Sequence, residues 1–170
     1  LFEELSDRVS LWMTLNEPWC SAMLGYFDGI HAPGHQDRKA AYRAIHHLLL
    51  AHGLSLQSFR EGGYSGSIGI VLNLFTPRPA TRREEDQRAA DRAADQQSRM
   101  FLDPLLGKGY PSRHLQVYPE LEMPVEDGDM ELIAGKNDFI GMNYYFEEVV
   151  GHAPDHPEGF RRLPDDQTTT

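Results

Sequence analysis

One cysteine, Cys20, occurs in 170 residues. A lone thiol closes no intrachain disulfide and anchors no multi-cysteine zinc site, so neither device organises this chain. Basic side chains are scarce too: 16 Lys and Arg stand against 26 Asp and Glu, a formal net charge of −10. Phosphate binding depends on clustered Lys and Arg, so the balance argues against a nucleic-acid partner. No apolar run reaches the roughly 18 residues of a membrane span, and no membrane association is expected. The first residue is Leu1, and no basic stretch with an apolar core precedes a cleavage site, so no signal peptide is expected and the expected location is cytoplasmic. No Asn-x-Ser/Thr glycosylation acceptor is present. What is there, 40% hydrophobic and 25% charged residues, is the balance of an ordinary globular protein of one domain or part of one.

Three short apolar runs stand out: Val9 to Leu15, Ile68 to Phe75 and Phe139 to Tyr145. Each is rich in β-branched, aromatic and aliphatic residues between turn formers, which predicts a strand. The middle run is apolar at nearly every position, the pattern of a strand buried on both faces of a parallel sheet. Between the runs lie helical patterns. From Arg38 to Arg60, Ala41, Ile45, Leu48, Leu49, Leu56 and Phe59 recur at helical spacing, and Gly62-Gly63 follows as a stop. A second helix is expected from Thr81, where Thr81 and Glu84 match a capping box, to Phe101, with Asp103-Pro104 as its breaker. A third, shorter one is expected at Gly128 to Ala134.

Strand, helix, strand, helix, strand is the order of a parallel α/β sheet. The strand ends recur every ~60 to 70 residues, about twice the ~31 of a minimal eight-unit barrel. The excess lies in segments 18–37, 76–80 and 103–127, which read as long loops of the kind that carry function. Asp165 to Thr170 is of low complexity and is expected to fray.

Each strand ends in polar residues. The first ends in Asn16-Glu17-Pro18, the second carries Asn73, and the third carries Asn143, Tyr144 and Tyr145. In parallel α/β folds, catalytic and binding groups gather at the carboxyl ends of strands, so three such endings point to one mouth. Taken singly, Asn73 could instead satisfy loop backbone and Asn143 could cap the sheet. Glu17 follows an aromatic strand, and Pro18 is expected to hold its backbone extended. Flanked by Trp12 and Trp19, its carboxyl is expected to be partly desolvated, with a pKa raised toward that of a proton donor.

The segment WMTLNEPW (Trp12 to Trp19) resembles the fourth-strand signature of family 1 glycoside hydrolases, the retaining β-glucosidases. GYFDGIHAPG (Gly25 to Gly34), HHLLLAHG (His46 to Gly53), FLDPLLGKGYP (Phe101 to Pro111) and NDFIGMNYY (Asn137 to Tyr145) are similar to the same family in the same order. The resemblance covers residues 1 to 147. It implies a single partial domain over 1–170: strands four to six of a (β/α)8 TIM barrel, incomplete in this chain, with 148–170 as loop and tail.

The resemblance also implies site roles. Glu17 matches the general acid/base, and Asn16 the residue that hydrogen-bonds the sugar 2-hydroxyl. Tyr145 matches the tyrosine that holds the nucleophilic carboxylate, while Asn143 and Asn73 match residues lining the pocket. Trp19 and Leu24 match the aglycone entrance. Phe146 departs from the Thr or Ser usual after the NYY triplet. The implied reaction is hydrolysis of a terminal β-D-glycoside with retention, without cofactor, on a small β-glycoside or oligosaccharide. A 6-phospho-β-glucoside or β-galactoside substrate, or an inactive carbohydrate-binding truncation, stays open at this point. So does the oligomeric state.

Retention needs a second carboxyl about 5–5.5 Å from the first. The family's nucleophile sits in a T-E-N-G segment, which this sequence does not contain, and Asp138 is expected at the opposite end of the sheet from Glu17. The nucleophile is therefore expected outside this chain. His31 and His35 have a metal-ligand spacing, but Pro33 and Gly34 preclude a helix between them, and no metal site is expected. Gly107-Lys108-Gly109 lacks the strand–loop–helix context of a phosphate loop.

Overall fold

The computed structural model describes residues 1–164, so the expected fraying of Asp165 to Thr170 lies outside the described residues. A short helix α1 (Phe2–Leu5) leads into strand β1 (Leu11–Asn16). The long helix α2 (Arg38–Glu61) connects β1 to β2 (Ser67–Asn73). After β3 (Pro77–Pro79) come α3 (Glu84–Ala94), α4 (Met100–Leu105), α5 (Ser112–Val117) and α6 (Asp129–Ile133). Strands β4 (Phe139–Asn143), β5 (Glu148–His152) and β6 (Phe160–Leu163) complete the described chain.

Strands β1, β2 and β4 form one sheet in that order, parallel at both seams. The central strand is β2. Its residues from Ile68 to Asn73 are all buried, so the unbroken apolar run reports two covered faces. Gly69 lets the sheet close here: a Cβ at this position would lie 2.1 Å from the Phe139 carbonyl oxygen.

Helix α2 covers the sheet through the stripe expected of it. Ala41, Ile45, Leu49, Leu56 and Phe59 are buried, and each large one contributes about 1.5–3 kcal/mol of apolar burial. Its start is fixed by Asp37, whose Oδ1 accepts the Ala40 amide at 3.1 Å.

The second helix differs from its sequence signals. Arg83, not Thr81, is the N-cap residue of α3. The Thr81 hydroxyl donates to buried Asp86 and its oxygen accepts the Arg83 amide at 3.2 Å, which ties Thr81 to the residues just ahead of and within the first turn rather than to the amide of Glu84. Pro104 does not break the helix ahead of itself. It sits inside α4, one residue before its end.

Two more differences concern the presumed loops. Within 18–37, Cys20–Phe27 is a π-helical segment, and a second one, Asp95–Arg99, joins α3 to α4. Residues 148–163 are not loop and tail: β5 and β6 form an antiparallel hairpin, and β5 also pairs in parallel with β3. These strands are short and carry Arg161 and Arg162, so their own pattern gives no alternation to read. Their pairing comes from the hydrophobic contact of Val150 and Phe160 with Ala89 and Ala93 of α3. No helix of the described residues is long and apolar enough to cross a membrane.

Candidate active site

Glu17 stands immediately beyond β1. The pairing of β1 with β2 slips between Met13 and Asn16, so three steps on β1 match two on β2. Such a bulge re-aims the residues that follow it. Glu17 then takes φ +49°, and among the described residues no other non-glycine has positive φ. The extended backbone expected ahead of Pro18 is therefore corrected to a left-handed one. Two backbone bonds fix it: the Glu17 amide donates to the Val71 carbonyl at 2.9 Å, and the Cys20 amide donates to the Glu17 carbonyl at 2.9 Å. A non-glycine residue in this region costs on the order of 1–3 kcal/mol and persists where its surroundings over-determine it.

The side chain meets donors from two other elements. Its Oε1 accepts Asn143 Nδ2 at 2.7 Å and the Tyr145 hydroxyl at 2.7 Å, and its Oε2 accepts the Cys20 thiol at 3.2 Å. The same Asn143 amide group also donates to Asn16 Oδ1 at 3.2 Å. The hydrogen bond from Tyr145, then that from Asn143, hold the Glu17 pKa below the ordinary carboxylate value; partial burial opposes them and Cys20 adds to them. This corrects the raised pKa expected from Trp12 and Trp19. Trp12 packs away from Glu17, edge-on to Phe2 at 5.0 Å, so the carboxyl faces donors rather than an indole.

The remaining site residues divide by distance from the carboxyl. Asn73, buried at the end of β2, reaches Glu17 only through sulfur: its Nδ2 donates to Cys20 Sγ at 3.7 Å, and its Oδ1 is buried without a partner. Trp19 packs on Phe75, ring centroids 5.3 Å apart. With Phe27, Phe75, Phe146, Gln97 and Glu148 it lines a neighbouring cavity of about 270 Å³. Leu24, half-buried in the π-helical segment, is not among the residues lining that cavity. Tyr145, just beyond β4, donates to Glu17 Oε1. Asp138 lies at the far end of β4, where Oδ2 accepts the Ile68 amide at 2.8 Å and Arg60 at 2.7 Å.

Cys20 is the contact of Glu17 that sequence reasoning missed. Its place three residues after Glu17, across a turn closed by Pro18, was the available signal. Among the described residues no group of three His, Cys, Asp or Glu is gathered to hold a metal ion.

The model of glycosyl hydrolase family 1 matches residues 1–169. The chain belongs to this family. Beta-glucosidase A of Acetivibrio thermocellus is 38% identical over 162 residues, covering 94% of this chain and 36% of that protein. The 1,4-beta-D-glucan glucohydrolase of Thermotoga neapolitana is 43% identical over 159 residues, covering 92% of this chain and 37% of that one. Among solved structures, a beta-glucosidase from Exiguobacterium marinum superposes with a TM-score of 0.93 at 37% identity, over 97% of this chain and 39% of that one. The family 1 glycoside hydrolase of Thermotoga maritima, complexed with a cyclophellitol analogue transition state mimic, superposes with a TM-score of 0.91 at 40% identity, over 98% and 38%. The family 1 chain described here thus spans little more than a third of these relatives. Its three parallel strands and crossover helices are part of a (β/α)8 barrel.

Proposed function

We propose that the protein carrying this chain hydrolyses terminal β-D-glucosides with retention, and that Glu17 is its general acid/base. The observation that carries this reading is the convergence of Asn143, Tyr145 and Cys20 on one carboxyl at the carboxyl end of a barrel strand. In the first step Glu17 protonates the glycosidic oxygen as the leaving group departs. In the second it takes a proton from water. Asn16 binds the sugar 2-hydroxyl, Asn143 and Asn73 line the sugar pocket, and Trp19 with Leu24 borders the leaving-group side. Residues 1–170 are one part of a single catalytic domain, and the nucleophilic carboxylate comes from outside them.

The depressed pKa of Glu17 fits this division. A general acid has to hold its proton near neutral pH, and the donors found here favour the charged form instead. A second carboxylate about 5–5.5 Å away opposes ionisation by like-charge repulsion and supplies the missing upward shift. The raised pKa belongs to the completed pair.

Glu17→Gln in the intact protein tests the assignment. Glucosides with poor leaving groups are expected to lose about 10²–10⁴-fold in kcat/KM, while activated aryl glucosides lose far less in the first step. Equal, small losses on both would overturn it.

A further inference from the structure

We propose that the cavity beside Trp19 selects leaving groups that join an apolar ring to a protonated amine, and that Glu158 and Glu148 make that choice. The inference rests on the glucosidase reading and deepens it by naming a class of aglycone. The cavity, of about 270 Å³, meets the catalytic strand end at Trp19, two residues after Glu17. Its aromatic wall takes one residue from beyond each barrel strand: Trp19 after β1, Phe75 after β2 and Phe146 after β4. The rings stand in a row, with centroids 5.3 Å apart from Trp19 to Phe75 and 6.1 Å apart from Phe75 to Phe146.

The charged part of the lining comes from other elements. The β5–β6 hairpin brings Glu148, Glu158 and Arg162, and Asp28 follows the π-helical segment. Three carboxylates against one guanidinium leave the lining negative. Arg162 is already engaged, its Nε donating to Glu148 at 3.2 Å. Half-buried Glu158 accepts Gln96 Nε2 at 2.7 Å and pairs with no cation among the described residues. Two further arginines stand behind the lining and are held elsewhere: Arg38 lies over the Phe27 ring at 5.0 Å, and Arg92 donates to the Gly159 carbonyl at 2.6 Å.

Two buried amides show which kind of polar group the lining lacks. Gln96 and Gln97 line the cavity and are only 5% and 2% exposed. Gln96 Nε2 donates to Glu158 at 2.7 Å, and Gln97 Nε2 donates to Glu148 at 2.9 Å. A carboxylate only accepts, so each glutamate fixes which way its amide points and leaves the carbonyl over. Neither Oε1 has a hydrogen-bond partner. The lining therefore holds acceptors in excess, and its amide N–H groups already serve its own carboxylates. An ammonium brings three donors and no acceptor, which suits this balance. A sugar hydroxyl brings lone pairs with its one donor, and an anionic group brings acceptors alone. The aromatic faces favour the same choice, because their quadrupoles attract a cation.

The test uses the intact protein carrying this chain and three 2-phenylethyl β-glucosides that differ only at the para position: aminomethyl, hydroxymethyl or carboxylate. The two-carbon spacer keeps the leaving oxygen alike in all three, so ratios of kcat/KM report the cavity. At neutral pH and low salt the aminomethyl glucoside is expected to exceed the hydroxymethyl one by about 10-fold, with the carboxylate lowest. Added salt should shrink that preference. Glu158→Gln keeps the size and hydrogen-bonding capacity of the side chain, and is expected to cut the aminomethyl-to-hydroxymethyl ratio several-fold. Should that variant not fold, Phe146→Thr at an exposed position replaces it, with the same expectation. Equal kcat/KM for the aminomethyl and hydroxymethyl glucosides overturns the proposal and leaves the glucosidase reading standing. A preference that survives undiminished in the variant overturns it as well, since the selecting charge then lies elsewhere. Turnover of none of the three, nor of 4-nitrophenyl β-glucoside, overturns the glucosidase reading and this proposal with it.

Discussion

At the scale of single residues, the acids of this chain are sorted by what they accept. Glu17 accepts three side-chain donors at a mouth, whereas Asp86 is sealed away with only 1% exposure. Burial pushes the Asp86 pKa up, but the His152 amide, the Thr81 hydroxyl and Arg83 outweigh it and leave it below the ordinary value. Asp86→Asn in the intact protein is expected to cost about 2 kcal/mol at pH 7, read as a lowered urea midpoint. A depressed folded pKa stabilises above the unfolded value and that contribution is lost as pH falls through the folded one. The gap between the two proteins should therefore narrow below about pH 4. A gap independent of pH would show that the charge of Asp86 does not matter. Glu17 itself was legible from its place after an aromatic strand. Its protonation balance was not, because the nearest residues in sequence, Trp12 and Trp19, are not its partners in space.

At the scale of elements, legibility tracked how local the cause is. Helix α2 and strand β2 are written in their own apolar spacing, and the structure follows it closely. The β5–β6 hairpin is stabilised by α3, some 60 residues upstream, so nothing within 148–163 announces it. The π-helical segment Cys20–Phe27 also escaped notice, since its glycine and polar neighbours resemble a loop. Close packing of α2 gives a sharp test. A Cβ on Gly53 would lie 2.4 Å from the Leu132 carbonyl oxygen, so α6 would have to retreat. Gly53→Ala is expected to destabilise the intact protein by about 1–3 kcal/mol despite alanine's better helix propensity. Asp37→Ala, which removes the helix cap, should cost about 1 kcal/mol. If Gly53→Ala raises the melting temperature instead, the close contact with Leu132 is wrong.

At the scale of the whole molecule, the sheet β1–β2–β4 leaves one outer edge of β1 and one of β4 without a strand partner among the described residues. Leu11, Met13, Met142, Tyr144, Tyr145 and Phe146 are exposed on or just beyond those strands. A barrel hides such edges and faces by closure; an open three-stranded piece cannot. The 170-residue chain alone is therefore expected to unfold over a broad range, to bind a hydrophobic dye such as ANS, and to turn over no glucoside. A steep, single transition at low concentration would contradict this.

The small side sheet has a consequence for anyone who would reshape the entrance. Segments following two different barrel strands are stitched together there: β3 follows β2, β5 follows β4, and the two share hydrogen bonds from Pro77 to Pro79. Transplanting one of these segments from a relative would leave the other with a ragged, unsewn margin. Grafts that exchange both together, or shuffled libraries that keep the two cut from one parent, should survive where single-loop swaps fail.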